Sequence, residues 1–298
     1  VIARGQHLDA MKKNGITLIN PLGQEETAAI TCTDDPSILG VQDYLFLTIK
    51  SPALLPSLKK IKPLIGEDTT VITCMNGIPH WYFHKLSNQY TNYKIKSLDP
   101  DLLIDSVLPA DKIVGSVVYP ACQIVEPGKI KHINGNRFSL GEPDGRETDR
   151  LKFISEILKK AGFRAPIQKN IRDEIWLKLI GNLSFNPISA LTGATLEQIC
   201  NNLGTEAIVR EMMTEAKLIA EKLGAKINMS IEKRIDGARK VGAHKTSMLQ
   251  DIEAGKPIEI DSIIVAVKEL GELTSSPTPY INIILSLTLQ KAKLIGCL

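Results

Sequence analysis

Residues 170–191, NIRDEIWLKLIGNLSFNPISAL, mark the boundary between two halves of this chain that differ in their sequence patterns. After its charged start this stretch is apolar on nearly every face, which predicts a helix that is buried on most sides. Lys178, Asn182 and Asn186 are spaced four residues apart and therefore share one stripe of that helix. The stripe fits either an ordinary solvated face or a functional one. A buried lysine is costly unless it is paired or functional, and burial lowers its pKa toward a value suited to proton transfer.

The half that precedes this helix has short β-prone segments separated by turns and helical stretches. Continuous apolar strands that alternate with helices predict a parallel sheet covered on both faces. We expect residues 124–136, which are rich in turn formers, to form a hairpin at the edge of that sheet, and residues 163–168 to return to it. The predicted strands are residues 28–33, 44–49, 70–74, 112–119 and 137–140.

The half that follows has long helical patterns and almost no strand signal. The helix predicted over residues 206–223 stops at Gly224, and Pro257 suits the first turn of a helix over residues 258–273. Helices are also predicted over residues 151–161 and 280–295. An α/β half followed by a helical half predicts a Rossmann-like dinucleotide-binding domain at residues 1–168 and an all-helical substrate domain at residues 169–298, with ligands in the cleft between them.

Composition excludes several classes of protein. Of the 298 residues 43% are apolar and 23% charged, and the net charge of +3 comes from interspersed acids and bases, so no nucleic-acid surface is predicted. No apolar run reaches the roughly 18 residues that cross a bilayer. An odd number of scattered cysteines without CxxC pairs predicts reduced thiols, a cytoplasmic location and no metal site. The cysteines are Cys32, Cys74, Cys122, Cys200 and Cys297.

A second polar cluster lies in residues 246–263, TSMLQDIEAGKPIEIDSI. Ser247 and Asp251 fall on one face of a predicted helix. Glu259 is placed in the first turn of the next helix, where the helix dipole alone would favour a carboxylate. Glu259 also has a second interpretation, because a carboxylate and the Lys178 ammonium in one cleft would set each other's protonation.

These two segments, together with MNGI at residues 75–78 and GEPDG at residues 141–145, resemble the ketopantoate reductase family over essentially the whole chain. The resemblance implies reduction of 2-dehydropantoate, a small branched 2-oxo acid, to pantoate with NADPH in pantothenate and coenzyme A biosynthesis. It implies Lys178 as the proton donor to the ketone oxygen and Glu259 as the site carboxylate, near both the nicotinamide and the lysine. Hydride transfer to a ketone leaves negative charge on oxygen, which a positioned ammonium stabilises and then protonates.

The resemblance also implies how the two ligands are held. Asn182 and Asn186 would hydrogen-bond the substrate and Ser247 would hold its carboxylate end. Asn76 would lie where cofactor and substrate meet, and Ala121 would contact the cofactor through its backbone.

The first residues, VIAR, look like the end of the second strand of a dinucleotide-binding fold. Arg4 occupies the place where an arginine accommodates the 2′-phosphate of NADP. Lys50, at a strand end, would add positive charge near the phosphates. Both are also common surface residue types. Family members often have a polar side chain near this point of the chain that can reach the cofactor. Ala53, which stands here instead, cannot.

The glycine-rich GxGxxG turn would precede VIAR by about 20 residues, and the sequence does not contain it. We expect it, with the first strand and helix, to lie upstream of Val1, because the residues of the predicted site are retained. The alternative is a truncated, non-catalytic relative that acts as a binding module.

Two further questions stay open in the sequence. The chain could be a related NADP-dependent dehydrogenase of another 2-oxo or hydroxy acid. A phosphorylated substrate would call for arginine or lysine beside Lys178, where this helix offers asparagine. The apolar side chains of the final helix could pack internally or across a homodimer.

Overall fold

The computed structural model describes all residues, Val1–Leu298. Eight strands form two sheets of four and the remaining elements are helices. The strands are β1 (Ile16–Ile19), β2 (Glu25–Ala28), β3 (Tyr44–Leu47), β4 (Thr70–Thr73), β5 (Ile113–Val118), β6 (Ala121–Glu126), β7 (Lys129–Asn134) and β8 (Phe138–Gly141). The α-helices are α1 (Gly5–Asn14), α2 (Leu54–Ile61), α3 (Leu103–Val107), α4 (Asp149–Lys160), α5 (Ile171–Thr192), α6 (Leu196–Asn201), α7 (Leu203–Lys222), α8 (Ile231–Val241), α9 (Ser247–Glu253), α10 (Ala266–Leu273) and α11 (Pro279–Leu294).

The main sheet has the order β3-β4-β5-β8. β3, β4 and β5 are parallel and β8 is antiparallel to β5. Every residue of β4 is buried, as are the first five residues of β5, which explains their continuous apolar character. The α/β fold class is therefore confirmed, whereas the sheet is mixed: β3, β4 and β5 are parallel as predicted, and β8 is not.

The second sheet, of order β2-β1-β7-β6, corrects two expectations. The strand predicted at residues 28–33 is wrong: β2 ends at Ala28, and within that range only Thr33 pairs further, in an isolated bridge with Ile2. β2 is exposed along its whole length and β1 has one buried residue, so neither has the apolar run that signals a strand.

The predicted hairpin exists as β6 and β7, but it belongs to the second sheet, where β7 pairs in parallel with β1. Residues 163–168 return to the main sheet only through isolated bridges to β8, Leu140 with Ile167, and to its neighbour, Arg137 with Arg164.

Most predicted helices are present with ends shifted by a few residues, as α4, α7 and α11. The helix predicted from residue 258 begins later, at a π-helical turn, Asp261–Val265, that leads into α10. Ile258 lies before this turn, and its N–H donates to the carbonyl of Cys297 at 3.0 Å. Glu259 consequently precedes the helix and does not lie in its first turn.

The 22-residue helix α5 lies at the centre of the molecule. Its apolar side chains belong to one core cluster that also includes residues of the main sheet and of the helices around it, among them Ile113, Met212 and Ile263. The division at residue 168 remains a prediction. None of the helices is both long and apolar enough to span a membrane.

Candidate active site

The candidate site lies where the carboxyl ends of β3, β4 and β5 meet α5. Ligands of open α/β sheets bind at this edge. A cleft of about 730 Å³, its open mouth included, lies here. Its walls are mostly apolar, with Lys178, Asn182 and Asn76 among the polar groups that line it. Apolar wall residues include Leu54, Met75, Ile78, Trp81, Leu98, Ile104, Ile175 and Leu179.

The ammonium of Lys178 is fixed by two acceptors from the main sheet. It donates to Asn76 Oδ1 at 2.8 Å and to the carbonyl oxygen of Val118 at 2.5 Å. Burial lowers the pKa of Lys178 to about 8, partly offset by the charge of Glu259 and reinforced by that of Arg234. A lysine with such a pKa exchanges its proton readily near neutral pH.

Glu259 is 6% exposed and is held by the loops that follow β3 and β4. It accepts from the backbone N–H of Ser51 at 3.2 Å and from Asn76 Nδ2 at 3.1 Å. Asn76 therefore connects the ammonium of Lys178 to the carboxylate of Glu259 through its two ends. Lys178 and Glu259 form no direct ion pair; Asn76 lies between them, and their joint role remains a prediction.

The loop after β4 is fixed in place by the π-helical turn. The N–H of Ile78 donates to the carbonyl of Ser262 at 2.8 Å, and Ser262 Oγ donates to Ser51 Oγ at 3.0 Å. Gly77 has a φ of +87°, and a Cβ at this position would overlap the backbone of Ser262. Only glycine gives the loop both this conformation and this close approach, so Gly77 sets the position of Asn76.

The two asparagines of the α5 stripe differ in environment. Asn182 lines the cleft beside Lys178. Asn186, one turn further, is 5% exposed and its Nδ2 has no hydrogen-bond partner. A buried amide without a partner is costly, but Asn186 is not among the residues that line the cleft, so its contact with a ligand remains a prediction.

The other predicted residues do not line the cleft. Ser247 is exposed as the first residue of α9. Arg4 is exposed before the first turn of α1, with its side chain free, and Ala121 opens β6. Lys50, half-exposed after β3, forms an ion pair with Asp251 of α9. Their roles remain predictions.

Arg234, which no sequence pattern singles out, packs against Gly181 of α5 and lines a separate pocket with Leu177, Ile180 and Met213. Its own helix is rich in charge and gives no signal. The available signal was Gly181, a glycine in the middle of an apolar helix, where it is unfavourable without a packing reason.

The donor set fits a dinucleotide that carries hydride. The carboxyl edge of the parallel strands offers backbone groups and Asn76, and α5 adds Asn182, with one ammonium and one carboxylate held at fixed positions. These groups can orient a ketone and supply a proton, whereas a nicotinamide supplies a hydride.

Comparison with known proteins gives concordant matches. The family model described as "Ketopantoate reductase PanE/ApbA" matches residues 1–145 and the one described as "Ketopantoate reductase PanE/ApbA C terminal" matches residues 170–292. The 2-dehydropantoate 2-reductase of Mesorhizobium japonicum is 46% identical over 297 residues, which cover 100% of this chain and 91% of that protein.

Solved structures also match this chain over nearly its whole length. A Ralstonia solanacearum MolK2 protein, provisionally named a ketopantoate reductase, is 37% identical with a TM-score of 0.94. The match covers 99% of this chain and 90% of that protein. D-mandelate dehydrogenase with NADH and anilino(oxo)acetate is 20% identical with a TM-score of 0.82, covering 100% and 91%, a likeness of fold.

Proposed function

Because the chain belongs to the ketopantoate reductase family, we propose that it reduces 2-dehydropantoate to pantoate with NADPH, as a step of pantothenate and coenzyme A biosynthesis. The observation that carries the proposal is the hydrogen-bonded series Lys178–Asn76–Glu259 at the carboxyl edge of the main sheet.

Lys178 is the proton donor in this proposal. Its ammonium attracts the ketone oxygen, stabilises the charge that develops there and transfers its proton to that oxygen. Glu259 favours the charged form of Lys178 against the effect of burial. Asn76, which lines the cleft, holds the ammonium in place through its side-chain oxygen.

Substrate and cofactor contacts follow from the matched family motifs. Asn182 and Asn186 hydrogen-bond the substrate hydroxyl and oxo groups, and Ser247 lies toward its carboxylate end. NADPH, when bound, supplies the hydride. Its binding residues in this proposal are Arg4 at the 2′-phosphate, Lys50, Asn76, Glu259 and the backbone of Ala121.

A second candidate is reduction of a different 2-oxo acid. The cleft beside Lys178 is walled by Trp81, Leu98 and Ile104, from the segment between β4 and β5, and these apolar surfaces favour a bulky apolar substituent next to the ketone.

The experiment that separates these candidates is a substrate panel. Protein expressed from the complete coding sequence, with any residues before Val1, is assayed by NADPH absorbance with 2-dehydropantoate and with 2-oxo acids bearing larger alkyl or aryl groups. The highest kcat/KM with 2-dehydropantoate supports the proposal. A preference for a larger acid supports the second candidate, and no NADPH binding supports a non-catalytic relative.

We also propose a homodimer that uses α11. Its Ile283, Leu287 and Leu294 side chains are 58%, 52% and 76% exposed and form an apolar surface of the kind that protein contacts cover. Light scattering at micromolar concentration tests this; a monomer, or a dimer unaffected by Leu287→Glu, contradicts it.

A further inference from the structure

Trp81 lies in the segment between β4 and β5, and its indole is fixed across those two strands. The ring nitrogen Nε1 donates to Thr73 Oγ1 at 3.3 Å. The outer edge of the ring lies against Gly115, where an added Cβ would come within 2.6 Å of the ring carbon Cη2. Thr73 and Gly115 are partners in the pairing of β4 with β5. The indole therefore covers one residue pair of the main sheet, at a point where β5 has no side chain.

The ammonium of Lys178 is fixed further along the same two strands. One of its acceptors, Asn76, is three residues after Thr73. The other, the carbonyl of Val118, is three residues after Gly115. Three residues of extended chain span about 10 Å. The indole and the ammonium are therefore held at separate points along the strands, while both groups line the same cleft.

Trp81 is a rigid part of the cleft wall. It is 3% exposed, and the cleft of about 730 Å³ that it lines with Lys178 has the size that holds one small ligand. The next residue, Tyr82, is bound to α5. Its hydroxyl accepts from Trp176 Nε1 at 2.7 Å, and its carbonyl accepts from Arg172 Nε at 2.6 Å. Because ring and backbone are both fixed, the indole sets a limit to what the cleft admits.

We propose that Trp81 is a specificity-determining residue, whose indole limits the size of the substituent that a 2-oxo acid carries next to its ketone. With the ketone oxygen at Lys178, the carbon chain of the substrate extends along the cleft toward the indole. The compact branched chain of 2-dehydropantoate fits in the space before the ring, and larger chains meet the ring. This inference rests on the proposed function and deepens it, because it names the residue through which one 2-oxo acid is selected over another.

Gly115 allows the size limit to be changed in both directions. Because the ring edge occupies the space that a Cβ would take, Gly115→Ala must displace the indole away from β5 and narrow the cleft. Trp81→Leu removes the ring and widens the cleft instead. The two substitutions are made at one contact and predict opposite shifts in substrate preference.

The test uses protein expressed from the complete coding sequence and assayed with NADPH. The readout is the ratio of kcat/KM for phenylglyoxylate, an aryl 2-oxo acid, to kcat/KM for 2-dehydropantoate. We expect Trp81→Leu to raise this ratio about 10- to 100-fold, since one methylene group in an apolar pocket already changes selectivity about tenfold or more. Trp81→Phe should give a ratio between those of the wild type and Trp81→Leu. Gly115→Ala should lower the ratio about tenfold.

Trp176→Phe is the matched control, because Trp176 is the other tryptophan of the sequence, is fully buried and does not line the cleft. It should leave the ratio unchanged. Circular dichroism and NADPH binding check that each variant folds. An unchanged ratio in Trp81→Leu, or a higher ratio in Gly115→Ala, overturns the role of Trp81 and leaves the proposed function standing. If Gly115→Ala does not fold, any order other than wild type, Trp81→Phe, Trp81→Leu overturns it.

Fluorescence separates this inference from the proposed function. If the wild type reduces no 2-oxo acid, the proposed function fails, and binding is then measured in Trp176→Phe, where Trp81 is the one tryptophan left in residues 1–298. Saturable quenching at lower concentrations of 2-dehydropantoate than of phenylglyoxylate supports a size limit at the indole. Quenching at equal concentrations, or none, overturns it.

Discussion

The side-chain oxygen of Asn76 accepts a hydrogen bond of 2.8 Å from the ammonium of Lys178, although the two residues are 102 positions apart. Asn76 follows a strand of the main sheet and Lys178 lies in α5, so this bond joins the two halves of the chain at the point where the chemistry is proposed. The amide nitrogen of Asn76 donates at the same time to Glu259.

Replacing Asn76 tests whether this bridge positions the proton donor. Asn76→Ala removes both hydrogen bonds, and we expect kcat for ketone reduction to fall about 100-fold because positioned charge is lost at the reacting oxygen. Steady-state assays with NADPH measure this. Asn201→Ala, an exposed amide of α6, is the control. A normal kcat in Asn76→Ala would show that Lys178 does not depend on the bridge.

The pKa of Lys178 predicts how activity depends on pH. Because burial lowers this pKa to about 8, the ammonium loses its proton as pH rises through 8. The value of kcat/KM for reduction should therefore be level below about pH 8 and decline above it. Since the charge of Glu259 raises the pKa, Glu259→Gln should move the decline to lower pH. A profile that stays level to pH 9.5, or a shift to higher pH, would contradict this assignment.

The close approach of Gly77, in the loop after β4, can be tested against Gly224, which has a nearly equal φ value. Gly77 has a φ of +87° and meets the backbone of Ser262, whereas Gly224 has a φ of +90° and nothing within 4 Å of an added Cβ. Gly224→Ala should cost about 1–2 kcal/mol of unfolding free energy and leave activity normal. Gly77→Ala should cost more and also lower kcat/KM, since Asn76 moves with the loop. If the two variants lose equal stability and keep equal activity, the close approach of Gly77 to Ser262 does not position the loop.

Arg4 tests the cofactor assignment. Its exposed side chain is free to meet a 2′-phosphate, so Arg4→Ala should raise KM for NADPH about 10-fold while KM for NADH stays constant. Lys13→Ala, an exposed cation in the last turn of α1, controls for general charge. Equal effects on both cofactors would remove Arg4 from the 2′-phosphate site.

The parts of this fold that the sequence predicts are those with uninterrupted apolar patterns. β4 and α5 are buried on all or most faces, so their composition alone identifies them. β1 and β2 are mostly exposed and are stabilised by pairing with each other and with β7, which no local pattern reveals. The segment before the helix also makes a contact that no local pattern predicts: the N–H of Ile258 donates to the carbonyl of Cys297, next to the last residue of the chain.

The candidate site, like the fold, is only partly predictable from the sequence. The spacing of Lys178 and Asn182 predicts a shared stripe, and both residues line the cleft. Asn76 was assigned to the junction through its motif, but its position between Lys178 and Glu259 depends on contacts across more than a hundred residues. Arg234 has no motif, and its packing on Gly181 beside α5 depends on tertiary contacts alone.

Whether Lys178 protonates the ketone is tested by the kcat of Lys178→Ala with NADPH and 2-dehydropantoate at pH 7, measured on protein expressed from the complete coding sequence. We predict a fall of about 100- to 10,000-fold, with the circular dichroism spectrum and NADPH binding unchanged. A kcat within about threefold of the wild type, in a folded variant that binds NADPH, would contradict the account; 1.36 kcal/mol in the barrier already corresponds to about tenfold.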